Sequence, residues 1–335
     1  YAIDLKDYIQ GGPNDYLRYN DMKFKSIDMK QYVDLISKNY PQLRYENTNL
    51  VPSKIFTLDI DKEAVKKKGI IPKGMDSLLV DQMQVRMIGN GLYKSDLALM
   101  DVISTNNWER PIYFNFTSLS QIKLNLKDYT LEEGLTQRLL PVKNPNPEKD
   151  FVNTEIMYDN VINKFQYREL NNPNVYYNDD YRGFVLNHRS SINTLAAALI
   201  DEYETEKSTT VETVNAEGKP AENKMEKAHK VLLFSLEKMP DNAIPYDQTS
   251  VNMVEMLFKV GEKEKAIEIA TIAGDRANEM TGYLLSKSTG LSLDLRRNLY
   301  VLGELQRVLY ENGETELGKK YEDAYNGHVN NLQVQ

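Results

Sequence analysis

The stretch "GEKEKA", Gly261 to Ala266, decides how the second half of the chain is read. A glycine followed by acids and lysines suits the end of one helix and the opening of the next. Its echoes set the architecture. Glu226-Lys227-Ala228 returns as Glu264-Lys265-Ala266, thirty-eight positions later. The whole hexapeptide returns more loosely as Gly313-Glu314-Thr315-Glu316-Leu317-Gly318. Each copy opens a helix, and each is preceded by another helix with an apolar stripe. Those stripes are Leu195/Leu199, Val254/Leu257/Phe258 and Leu299/Leu302/Leu309. Three helix pairs follow, which is about the minimum at which stacked repeats support one another.

This pattern resembles tetratricopeptide repeats. Ala266, Ala270 and Ala273 are small enough for two helices to approach closely. The spacing departs from a strict 34-residue period, and no tryptophan anchors the repeat. The first helix of the array carries Ile192, Leu195, Ala196, Leu199, Ile200 and Tyr203 at i, i+3, i+4, i+7, i+8 and i+11, one face of a helix starting near residue 190. Residues 204–223 are poor in bulky apolar side chains and hold Gly218 and Pro220, so they are expected to be a mobile insertion. Residues 151–335 are therefore expected to be an all-α, tetratricopeptide-like hairpin array.

Working back toward the start, residues 51–150 read as a small α/β-like module within an α+β chain. "KIFTLDI" (54–60) alternates as a strand, and "DKEAVKKKG" follows as a short helix capped by Asp61 and ended by Gly69. "QMQVRMI" (82–88) is a second strand, and Gly89-Asn90-Gly91 turns the chain. Ser95 is expected to cap a buried helix over 96–105. "RPIYFNF" gives a third strand and "EGLTQRLLPV" a fourth, before a linker at 143–150. Beyond it, "TEIMYDNVINKF" is a helix capped by Thr154, and "NNPNVYYNDDYRG" is a polar loop. Residues 1–50 form a polar, partly helical lead-in, with a helix in "DMKQYVDLISKNYP" that stops before Pro41.

Bulk composition narrows the function classes. The net charge of −8 argues against binding nucleic acid or an anionic membrane surface, since no basic excess is present to release counterions. "KKK" at 66–68 reads as a solvated helix face. The absence of cysteine excludes disulfides, a thiol nucleophile and cysteine-ligated zinc. No stretch approaches the roughly 20 apolar residues of a membrane span, so direct membrane insertion is not expected. The chain opens at "YAIDLKDYI" without an initiator Met, which suggests a piece of a longer protein.

Motifs for chemistry are sparse. His188, His229 and His328 stand apart from one another, so no imidazole metal site and no metal or cofactor are expected. No G-x-S-x-G frame is present. Asp179-Asp180 lacks the spacing of a calcium loop. Two places could carry binding. Asp59 and Asp61 share one face of an extended segment, as acid and base or as ligands, although a helix cap accounts for Asp61. The stretch "NNWERPIYFNF" (106–116) sets Asn106, Asn107, Trp108 and Arg110 in a helix-to-strand corner. Trp108 and Arg110 could hold a sugar. Equally, one of the asparagines could end the helix left-handed, Trp108 could pack in the corner, and Ile112, Phe114 and Phe116 could line one sheet face with Tyr113 on the other.

The blocks "LYKSDLALMDVISTNNWERPIYF", "EGLTQRLLPV", "MYDNVINKF", "NNPNVYYNDDYRG", "IPYDQ" and "GEKEKA" occur in this order. Over about residues 50–330 they resemble the soluble C-terminal region of a multi-span bacterial membrane protein family of unknown function. That family is similar to protein O-mannosyltransferases of the membrane-embedded glycosyltransferase type. The resemblance implies a membrane domain before this region, a lipid-linked sugar donor and exported proteins as acceptors. It also implies a catalytic carboxylate in the membrane half, so no catalytic residue is expected here. This chain would then face the periplasm at the inner membrane. Its partners would be its own membrane domain and exported acceptor or cell-envelope proteins, recognised on the concave face of the array. An autonomous carbohydrate-active or phosphate-binding enzyme using Asp59, Asp61, Trp108 and Arg110 is the alternative, and a scaffold for a cell-envelope complex is the third reading.

Overall fold

The computed structural model describes residues 11–12, 14–209, 222–287 and 291–334. Contacts divide the chain into two units, Tyr1–Asn153 and Thr154–Gln335. The first is α+β and the second is a helical array, as the sequence suggests.

The first unit runs β1 (Tyr16–Arg18), β2 (Ile27–Asp28), α1 (Met29–Ser37), β3 (Arg44–Tyr45), β4 (Thr48–Asn49), β5 (Ile55–Asp59), α2 (Lys62–Lys67) and β6 (Gln82–Met87). It continues with β7 (Gly91–Tyr93), α3 (Lys94–Thr105), β8 (Ile112–Phe114), α4 (Phe116–Gln121), β9 (Leu124–Asn125), β10 (Thr130–Glu132) and β11 (Gln137–Leu139). The main sheet has the order β2-β5-β6-β9, with β2 parallel to β5 and the other pairs antiparallel. A second sheet, β10-β11-β8, is antiparallel throughout. β6 shows why these residues pair. Gln82, Gln84 and Arg86 are exposed while Met83, Val85 and Met87 are buried, the period-two pattern of a strand with one wet face. In register, Phe56 sits opposite Val85 and Leu58 opposite Met83.

α1 and α3 pack on each other and close the core. Tyr32 and Phe56 meet there with ring centroids 5.4 Å apart. The first fifty residues are thus not a lead-in. Leu17, Ile27, Met29, Tyr32, Val33 and Ile36 are all buried in the same core as the later strands. Two- and three-residue strands carry too few positions for periodicity to reveal them, and the polar residues between hide the apolar ones.

α3 also starts differently from expectation. Ser95 is exposed and lies inside the helix. The buried Asp96 does the capping instead, accepting from the backbone N–H of Tyr93 and of Lys123, each at 2.8 Å. One carboxylate thereby ties the helix start to the edge of the main sheet. Burial pushes its pKa up, against the pull of those two N–H groups. β8 is shorter than expected. It stops at Phe114 because Asn115 accepts from Ser118 N (2.7 Å) and starts α4, which leaves Phe116 exposed in that helix.

The second unit runs α5 (Thr154–Asp159, extended by a π-helical turn over Asn160–Lys164), α6 (Asp179–Thr209), α7 (Lys224–Lys238), α8 (Gln248–Lys259), α9 (Lys263–Ser286), α10 (Leu293–Glu311) and α11 (Thr315–Val334). Helices α6/α7, α8/α9 and α10/α11 form three hairpins, and each hairpin leans on the next through α6–α8, α8–α10 and α9–α11. Gly261 (φ 87°) and Gly313 (φ 81°) end α8 and α10 in the left-handed region. Ala266, Ala270 and Ala273 are buried. α9 and α11 approach closely at Gly274, where an added Cβ would collide with the ring of Tyr321. Tyr321 is fully buried, and its hydroxyl lies 3.1 Å from Thr271 O and from Asp275 Oδ1.

α6 begins eleven residues before the expected start, since Asn178 Oδ1 accepts from Tyr181 N (2.9 Å) and caps it. Asp179-Asp180 therefore open a helix rather than sit in a loop. The helix also covers 204–209 of the expected insertion, and 210–221 of that insertion lie outside the described residues. Its other end, Asn223, forms a capping box with Glu226, each backbone N–H donating to the other's side chain at 2.9 Å.

Candidate functional site

A pocket of about 240 Å³ opens in the first unit where β5, α2 and the end of α3 meet. Each wall follows from local sequence. β5 ends at Asp59, and the buried Ile60 anchors the chain before Asp61 caps α2 by accepting from Ala64 N at 2.9 Å. Ala64 and Val65 then face the pocket from α2, and Ile103 and Ser104 face it from the last turn of α3. α3 closes with Asn106 N–H still bonded to Val102 O (3.0 Å). Two left-handed residues follow, Asn107 (φ 48°) and Trp108 (φ 59°). Asparagine tolerates that conformation, whereas for a tryptophan it is an outlier costing roughly 1–2 kcal/mol.

The corner is held on both sides. Asn106 brackets the main chain of Arg110, its Nδ2 donating to Arg110 O (2.7 Å) and its Oδ1 accepting from Arg110 N (3.3 Å). Glu109 N donates to Asn106 O at 3.0 Å. From the far end of α2, Lys68 Nζ donates to Asn107 O. Trp108 is half-buried against the core. Its indole N–H makes no hydrogen bond among the described residues.

Of the six residues singled out in sequence, Asp59, Asp61, Asn107 and Trp108 line this pocket. Asn106 and Arg110 do not, because the amide of the first is engaged in bracketing the main chain of the second. Lys68 is the member that sequence reading missed. It belongs to the lysine run taken for a solvated face, and nothing local marks a partner thirty-nine residues away. Each carboxylate has one oxygen engaged in the fold: Asp61 at the cap, and Asp59 accepting from Gln82 Nε2 (2.7 Å) across the β5–β6 pair. The pocket thus holds two carboxylates and one ammonium, and leans negative.

The histidines sit elsewhere, in the second unit. Burial against Tyr167 lowers the pKa of His188. His229 Nε2 lies 2.7 Å from Glu262 Oε1, and His328 Nε2 lies 2.7 Å from Asn278 Oδ1. Among the described residues no three His, Asp or Glu side chains converge as a metal set, and no helix is long and apolar enough to cross a membrane. A shallower groove of about 560 Å³ runs along α7 past Glu226, Lys230 and Phe234. On the array, Tyr283, Tyr300 and Tyr310 are exposed.

Residues 2–156 match the family model described as TMEM260-associated domain 2. The match covers just under half of the chain and includes every residue that lines the Trp108 pocket. It starts within the first fifty residues and stops where the helical array begins. No curated protein and no solved structure matches the chain.

Proposed function

We propose that this chain is a non-catalytic, extracytoplasmic region of a glycosyltransferase-like membrane protein, and that it recognises the exported polypeptides which the membrane-embedded part modifies. The observation that carries this reading is the family match over residues 2–156. A TMEM260-associated domain supports a place in a glycosyltransferase-like membrane protein family. The pocket offers polar groups for holding a ligand, two carboxylates each anchored to the fold through one oxygen. The array supports a polypeptide ligand. Stacked hairpins present long surfaces for protein contact, and exposed tyrosines such as Tyr283 and Tyr300 are common anchors at interfaces.

The test is retention of purified exported polypeptides on the immobilised 335-residue chain. Substituting Tyr283→Ser with Tyr300→Ser is expected to weaken retention about fivefold or more. Equal retention by both forms argues against the reading. The autonomous enzyme is tested in parallel with lipid-linked sugar. No turnover is expected, and turnover abolished by Asp59→Asn would transfer the function to that second reading.

A further inference from the structure

We infer that the Trp108 pocket binds a single ring of a neutral saccharide. This deepens the recognition reading and rests on it, the sugar being one part of what the chain recognises. Size comes first. At about 240 Å³ the pocket is smaller than the roughly 300–1,000 Å³ of sites for drug-sized ligands, which leaves room for one ring.

Chemistry selects the class. Trp108 lines the pocket, and its indole N–H is taken up by no described residue; an indole suits a ring with C–H on one side and hydroxyls at its edge. Asp59 and Asp61 each keep an oxygen beyond the one engaged by Gln82 or Ala64, and hydroxyls donate strongly to carboxylates. The amide of Asn107 both donates and accepts. Other ligand classes fit worse. An anion meets two carboxylates against one lysine. A cation is drawn by the two carboxylates but repelled by the Lys68 ammonium, and it leaves the face of Trp108 as a single aromatic wall, short of a cage. An apolar ligand would strip water from two carboxylates without replacing it. The left-handed backbone at Trp108 fits the same assignment, since strain of this kind persists where the surrounding fold imposes it and clusters at ligand sites.

Trp108 is the chain's only tryptophan, so its fluorescence reports on this pocket alone. The experiment titrates the 335-residue chain with methyl hexopyranosides, a hexosylated peptide and a hexose 1-phosphate. A saturable change is expected, with Kd on the order of 1 mM for a single ring. The hexosylated peptide should bind at least as well, and the phosphate about tenfold more weakly. Asp59→Asn keeps the Gln82 bond and Asp61→Asn keeps the cap, so both variants should fold, each losing about threefold or more in affinity. Saturation-transfer NMR on Trp108→Ala should show the sugar signal lost.

No saturable response to any neutral saccharide up to about 50 mM, unchanged affinity in both Asn variants, or tighter binding of the phosphate would each overturn the assignment. Tighter binding of the peptide than of the free glycoside would place the natural sugar on a polypeptide, and equal binding would place it free or on a carrier. If saccharide binding fails while tyrosine-dependent retention of polypeptides persists, this inference falls and the recognition reading stands. Loss of that retention with saccharide binding intact does the reverse.

Discussion

Two connections in this molecule use their polar side chains in opposite ways. Between α7 and α8, residues 239–247 are held from within. Arg189 on α6 is only 1% exposed, and its guanidinium donates to Met239 O (3.1 Å), Ile244 O (2.8 Å) and Pro245 O (3.1 Å) while lying over the Tyr246 ring. Arg276 on α9 grips Asp241 with two bonds of 2.7 and 2.8 Å and donates to Tyr246 O (2.9 Å). Asp241 also accepts from Tyr246 N at 2.7 Å. The connection between α3 and β8, residues 106–111, has the Asn106 bracket and the Lys68 bond and little more. Around it, Asp59, Asp61, Asn107 and Trp108 keep hydrogen-bonding capacity beside an open pocket. Saturated polar groups explain a fold, and polar groups with capacity left over beside a cavity point to a ligand.

The comparison breaks most visibly at Arg189. Arg189→Met fills similar space but leaves three carbonyls without their donor, and should cost about 4 kcal/mol in urea unfolding followed by circular dichroism. A loss below about 1 kcal/mol would mean that water replaces the guanidinium easily, and the connection would not be held from within. Asp241→Asn comes next, at about 1–2 kcal/mol once its partial exposure is allowed for. Burial works to raise the Asp241 pKa, but the Arg276 bonds and the Tyr246 N–H overcome it and the net shift is downward. A carboxyl whose folded pKa is depressed contributes fully above its unfolded value of about 3.9, and that contribution fades as pH falls through the lower folded value. The gap between wild type and Asp241→Asn should therefore be full at pH 7 and shrink steadily below about pH 4. A gap that stays constant to pH 3 would show that the Arg276 pair does not depend on the charge.

Legibility in the sequence follows the same division. The hairpins of the array were readable because their information is local and repeated. Gly261 and Gly313 mark turns, Ala266 and Ala270 mark close packing, and the apolar stripes carry the helical period. β5, α2 and β6 were readable for the same reason, down to Asp61 as a cap. What escaped was non-local. Arg189 reaches residues fifty or more positions away, and a lone arginine within an apolar stripe carries no sign of that. Asp96 bonds to Lys123 N across twenty-seven residues, which no capping rule for α3 alone would find. The pocket lies between these cases. Asp59 and Asp61 were visible through strand alternation, and Asn107 and Trp108 through the helix end, but only the pairing of β5 with β6 and the packing of α3 bring the two sets together.

Two adjacent asparagines give the smallest and sharpest test. Asn106→Ala removes both bonds to the Arg110 main chain and should cost about 1 kcal/mol, since the exposed corner lets water replace part of what is lost. Asn107→Gly should change stability by no more than about 0.5 kcal/mol, because glycine suits the left-handed φ of 48° while adding freedom to the unfolded chain, and the two effects oppose each other. Its backbone oxygen still accepts from Lys68, so the corner should survive. What Asn107→Gly removes is the amide of a residue that lines the pocket, and the saccharide response of Trp108 fluorescence should weaken while the urea midpoint stays put. The neighbouring substitutions would then separate cleanly, Asn106 acting on the fold and Asn107 on the ligand. If Asn107→Gly instead costs as much stability as Asn106→Ala, both side chains serve the corner alone, and the contrast between a saturated connection and one with capacity to offer is lost.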